Sequence, residues 1–108
     1  MWNIPSKEVL AKIPRLYETE HISIKDKEIH LHFFIGGSDW YVVEYDGEDQ
    51  FFGFAILNND HINSEWGHFS FEDLKSFNVK GVLEIDCETS YFLKVRKVSE
   101  IKHIKTYE

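Results

Sequence analysis

Three apolar runs separated by two short turn sequences constrain this chain more than any other feature. From Glu28 to Ile35 the residues alternate: Ile29, Leu31, Phe33 and Ile35 fall on one face, Glu28, His30, His32 and Phe34 on the other. A period of two is that of a half-buried strand. Gly36-Gly37-Ser38-Asp39 follows as turn chemistry, since glycine supplies positive φ without steric cost. Trp40 to Tyr45 reads as a second strand, and Asp46-Gly47 opens a second turn. Phe51 to Leu57 reads as a third strand, in which Gly53 marks a bulge or a close backbone approach. Connections this short suit antiparallel pairing, so 28–35, 39–45 and 50–57 are expected to form a meander.

The remaining elements follow the same logic. Glu65 to Phe69, Val82 to Ile85 and Ser90 to Val95 are further candidate strands. A helix is expected over 6–13, capped by Ser6, with Val9, Leu10 and Ile13 on one face and Pro14 ending it. A second is expected over 71–77, with Ser70 as cap, Glu72 and Asp73 in its first turn, and a Phe71/Leu74/Phe77 stripe. Trp66 and Phe69 are expected to anchor that helix to the sheet. Residues 15–27 read as an irregular charged connection anchored by Leu16, Tyr17, Ile22 and Ile24. At 108 residues there is room for one core. The reading is a single α+β domain: an antiparallel meander of about five to six strands with two short helices.

Composition narrows the function. One cysteine, Cys87, excludes an internal disulfide and a cysteine-rich zinc module. No apolar run approaches a membrane span, and no basic-then-apolar leader opens the sequence, so the expected location is the cytoplasm. The formal charge is −7, and it is uneven. Residues 36–90 hold twelve acids against Lys75 and Lys80, a balance of −10. Such a field opposes direct nucleic-acid binding, including stacking on aromatics, which needs cations beside the rings.

The order of features from Ile13 to Ile101 resembles a bacterial domain-of-unknown-function family of small acidic proteins found on plasmids, phages and other mobile elements. The residues that carry it are Pro14-x-Leu16-Tyr17-x-Thr19-Glu20, His32-Phe33-Phe34, Trp40-Tyr41-x-x-Glu44-Tyr45-Asp46, Phe51-Phe52-Gly53 and Glu65-x-Gly67-x-Phe69-Ser70. The departure lies at 82–90, where a Gly/Pro-rich stretch and an Arg-Asp pair are missing. The resemblance implies a mobile-element setting and no mechanism.

Candidate chemistry is sparse. His30 and His32 are two apart on a strand, a spacing that lets two imidazoles share a metal, with His68 or Glu44 as a third ligand. This gives an alternative reading as a small metal-dependent hydrolase. Asp46-Gly47-Glu48-Asp49 lacks the spacing of a calcium loop. Glu44 and Asp46 share a face if the strand continues to Asp46, which would suit paired-carboxylate acid/base catalysis. Cys87 sits between Asp86 and Glu88, whose charges oppose thiolate formation. No cofactor fingerprint is present. The favoured reading is a non-enzymatic protein that binds a partner through Trp40, Glu44, Tyr45, Asp46, Glu48 and Asp49. An aromatic surface rimmed with carboxylates would suit a basic, nucleic-acid-binding partner protein, as in inhibitors of restriction or CRISPR defence.

Overall fold

In the computed structural model, which describes residues 5–76, 78–79, 83–84, 86–87, 96–102 and 104–105, helix α1 spans Lys7–Ala11. The Ser6 hydroxyl caps it by accepting the Val9 N–H at 3.2 Å. The chain then runs through an irregular segment and a 3-10 turn, Ile24–Asp26, into the strands. These are β1 (Glu28–Ile29), β2 (Leu31–Ile35), β3 (Ser38–Tyr45), β4 (Gln50–Ile56) and β5 (Glu65–Ser70). Helix α2, Phe71–Ser76, follows directly. Short strands β6 (Asn78–Val79), β7 (Leu83–Glu84), β8 (Asp86–Cys87) and β9 (Arg96–Lys97) and a 3-10 turn, Val98–Glu100, complete the described chain.

The architecture is α+β. Strands β2 to β5 form the antiparallel meander, and β8 joins it beside β2, giving the order β5-β4-β3-β2-β8. Two small antiparallel pairs, β1 with β9 and β6 with β7, lie outside it. Gly36, at φ 53, makes the tight turn between β2 and β3, where Ile35 pairs with Ser38. The strand expected at 90–95 and the Phe77 end of the second helix lie outside the described residues. Among the described residues, no helix is long and apolar enough to cross a membrane.

Both faces of the meander are apolar, and both are covered. Leu31, Phe33, Trp40, Val42 and Phe51 face Ile13, Phe71 and Leu74, with Val9 and Leu10 of α1 packed against them. On the opposite face Tyr41, Val43, Phe54 and Ile56 lie under Val98 and Ile104, with Ile24 and Ile101 alongside. The sheet is therefore the middle layer, with helices on one side and the turns near each end of the chain on the other.

Several sequence expectations are corrected by two irregularities. The alternation from Ile29 breaks at His30, so Ile29 joins the second cluster while Leu31 and Phe33 join the first. Between Val42 and Glu44 the β3–β4 register shifts by one residue, with Val42 opposite Gly53 and Glu44 opposite Phe52. This bulge puts Tyr45 on the helix-covered face with Trp40, not with Tyr41 and Val43. Trp66 also faces away from α2: it packs against the second cluster and its indole N–H donates to the Lys105 carbonyl at 2.7 Å. Phe69, Phe71 and Leu74 do gather on the α2 side, as expected.

Gly53 permits the bulge. A Cβ there would overlap the Tyr41 carbonyl oxygen and stand 3.1 Å from the Val42 Cα, both backbone atoms that have no room to move. Its cross-strand neighbour Gly67 has open space around the same position. Overpacking of this kind costs about 1–3 kcal/mol and sometimes more. Gly53→Ala is expected to lower the unfolding free energy by about 3 kcal/mol, whereas Gly67→Ala stays within about 1 kcal/mol of the parent. Urea denaturation of the two variants checks this, and equal midpoints would contradict it.

Candidate functional site

The bulge directs Glu44 to the side of Val43 and Phe52, where its carboxylate is only 4% exposed. One oxygen accepts the Tyr17 N–H at 3.0 Å. The other accepts the Thr19 N–H at 3.0 Å and the Thr19 hydroxyl. That hydroxyl in turn accepts from the Lys27 ammonium at 2.8 Å, which also donates to the Thr19 carbonyl. Thr19 and Lys27 are both buried. The buried negative charge thus meets a buried positive one through a single hydroxyl, and each end has further hydrogen bonds. Next to it the Tyr45 N–H donates to the Pro14 carbonyl at 2.9 Å, so residues 14–19 are strapped along the end of β3.

Within this strap Tyr17 adopts φ 70, a left-handed conformation that costs free energy in a bulky residue. Its side chain is 64% exposed, so it is not the apolar anchor expected from the sequence; the buried anchors are Thr19 and Lys27. Their contacts reach across 25 and 8 residues, and no local pattern announces them.

Beyond Tyr45 the chain turns at Asp46-Gly47, with Gly47 at φ 90. One Asp46 oxygen accepts the amides of Glu48, Asp49 and Gln50 at 2.7, 2.8 and 3.0 Å. Partial burial works against its charged form, but those three amides and the nearby Arg15 charge hold the carboxyl below its usual value. Asp49 accepts from the Ser70 hydroxyl at 2.6 Å and from the Glu72 amide at 2.8 Å, which likewise lowers its pKa. The Asp49 carbonyl also takes the Phe71 N–H at 2.8 Å. Asp49 therefore fastens the start of α2 to the hairpin. Glu48 in the turn and Glu72 and Asp73 at the start of the helix are all exposed.

Of the six residues expected to meet a partner, Trp40, Glu44 and Tyr45 are buried, at 8%, 4% and 6% exposure. Asp46 and Asp49 are partly exposed and mainly organise backbone, and Glu48 is exposed. Glu44 and Asp46 do not act as a carboxylate pair: Glu44 is buried against Tyr17 and Thr19, whereas Asp46 lies past the end of β3 and accepts the amides of its own turn. The histidines do not converge either. His32 pairs with Asp39 at 2.7 Å and stacks on Tyr41, with ring centroids 4.4 Å apart. His68 sits on β5 beside Phe52, with β4 and β3 between it and β2. Among the described residues no group of three or more His, Cys, Asp or Glu is placed to hold a metal. Cys87 is buried in the core, opposite Phe33.

No family model, curated protein or solved structure matches this chain.

Breaking one partner of a buried, hydrogen-bonded charge pair costs about 3–5 kcal/mol. Glu44→Ala is expected to destabilise the fold by that amount and to speed amide exchange at Tyr17 and Thr19, read by denaturation and hydrogen exchange. Glu44→Gln, which keeps an acceptor, should lose less.

The pH dependence has a definite sign. Asp46 and Asp49 have native pKa values below the usual 3.8, so they contribute stability above that pH and lose it as pH falls through the native values. Burial likewise lowers the His30 pKa below 6.5 against the opposing charge of Glu28, so its contribution is full above 6.5 and lost on acidification. Urea midpoints are expected to fall from near neutrality downward, with a steeper acid limb that Asp46→Asn flattens.

Proposed function

We propose that this chain is a non-enzymatic accessory protein of a bacterial mobile element, acting in the cytoplasm by binding a basic, nucleic-acid-binding host protein. The observation that carries the reading is the corner at Asp49. Two acid-bearing segments more than twenty residues apart, 46–49 and 72–73, are locked side by side by the Asp49 bonds to Ser70 and Glu72. Lys75 bonds to Glu72 at 2.7 Å, which leaves Glu48 and Asp73 as the outward charges. The resemblance to small acidic mobile-element proteins supplies the setting.

Like charges held together repel, and a basic partner relieves that repulsion while gaining attraction. In such an interface the carboxylates stand where nucleic-acid phosphates would. Exposed rim charges act mainly on the association rate and are screened beyond about 8–10 Å at physiological salt. The surface differs from the one expected from sequence: Glu72 and Asp73 join it, and the buried Trp40, Glu44 and Tyr45 leave it.

The test is affinity capture from host lysate with the parent and with Glu48→Lys/Asp73→Lys, at low and at raised salt. A retained basic protein should be released by salt and by competing DNA, and its association should slow by about tenfold or more with the reversed charges. Both variant positions are exposed, so the unfolding midpoint should hold. A retained set unchanged by charge reversal, salt and DNA would overturn the proposal.

A further inference from the structure

Beside the acidic corner lies a cleft of opposite character, about 350 Å³ in volume and lined by Lys7, Leu10, Ala11, Arg15, Tyr45 and Gly47. Its size is that of a small-ligand site. Leu10, Ala11 and the Tyr45 ring make apolar walls, and the two charged side chains are both cations. Neither Lys7 nor Arg15 makes an ion pair among the described residues.

Arg15 is held in place. Its Nη1 donates to the Ile13 carbonyl at 3.3 Å, and its guanidinium carbon lies 6.0 Å from the centre of the Tyr45 ring. Gly47 leaves it room: a Cβ there would stand 3.2 Å from Nε, and φ 90 disfavours any side chain. A planar guanidinium fixed in this way presents its remaining donors as a fork, the geometry that takes a carboxylate with two parallel hydrogen bonds. The Lys7 ammonium adds a second, more mobile positive charge.

We propose that this cleft binds an organic carboxylate with a compact apolar body, the anion on Arg15 and Lys7 and the body against Leu10, Ala11 and Tyr45. The apolar walls disfavour a bare inorganic anion, which would lose hydration there without replacement. A dianion is disfavoured further, because Asp46 is near enough for Arg15 to influence its ionisation. A monoanion carrying a small aromatic or branched aliphatic group fits both constraints. Such a group occurs on free small acids and at the C-terminus of a peptide ending in an apolar residue. This site is separate from the acidic corner and does not depend on the function proposed for it.

The experiment is an amide NMR titration with phenylacetate, phenylacetamide, acetate and inorganic phosphate, and with Gly-Gly-Phe as the free acid and the amide. Phenylacetate is expected to produce saturable shifts at Leu10, Ala11 and Gly47 in the millimolar range. Phenylacetamide, acetate and phosphate should bind at least about tenfold more weakly. Arg15→Gln should weaken phenylacetate by about tenfold or more, and Lys7→Gln by less. Both side chains are exposed, and an unchanged urea midpoint verifies each fold. Binding of the tripeptide acid but not its amide would identify a chain terminus as the source, and binding of phenylacetate alone a free acid. No saturable shifts at these residues, equal binding of the amide, or affinity unchanged in both variants would overturn the proposal.

Discussion

A carboxylate in the interior of a small domain is tolerable only when every lone pair and the charge itself are answered. Glu44 sets that condition here. Meeting it requires the Tyr17 and Thr19 amides, the Thr19 hydroxyl and, behind that hydroxyl, the Lys27 ammonium. These groups come from a segment with little apolar content of its own, and the carboxylate is what draws that segment onto the sheet. The bulge is part of the same arrangement. It turns Glu44 toward the strap, and by shifting the parity of β3 it delivers Tyr45 to the helix face, where its ring meets Phe51 at 4.8 Å. Gly53 is the space that makes the bulge possible.

The meander was legible in the sequence because its signals are local. Gly36-Gly37 and Asp46-Gly47 lie between alternating apolar residues, and turn chemistry together with a period of two leaves few alternatives. Ser6 and Ser70 announce their helices for the same reason, since a cap bonds within three residues. The strap was not legible. Thr19 and Lys27 look like ordinary surface residues, and their burial follows from a carboxylate 25 residues from Thr19. The bulge was foreshadowed by Gly53, but its effect on Tyr45 was not, because a one-residue shift changes the face of every residue after it. The expected partner surface failed at Glu44 and Tyr45 for this reason. Trp40 precedes the bulge and is buried because the helices cover its face of the sheet.

Around the hairpin end the charges divide by sign. Asp46 accepts three backbone amides, Asp49 accepts the Ser70 hydroxyl and the Glu72 amide, and both stay ionised for that reason, which makes them structural charges with a field that reaches outward. Arg15 stands on the other side of the same turn, over the Tyr45 ring, and burial together with the charges of Asp46 and Asp49 raises the Tyr45 pKa against the smaller opposing effect of Arg15. One short turn thus separates an acidic corner from a cationic cleft. A net charge of −7 conceals this division, because it averages over surfaces that present opposite signs to whatever approaches them.

The tie between Asp49 and the start of α2 also bears on where the corner exists at all. Six residues are too few to hold a helix in water, since helix nucleation is unfavourable and short helices draw their stability from packing. The helicity of 71–76, and with it the direction in which Glu72 and Asp73 point, is therefore borrowed from the hairpin. A peptide cut from this region would carry the same acids in the same order and none of their arrangement. The charge pattern belongs to the folded sheet, so any local opening of the β3–β4 hairpin would disperse it before the rest of the domain unfolds.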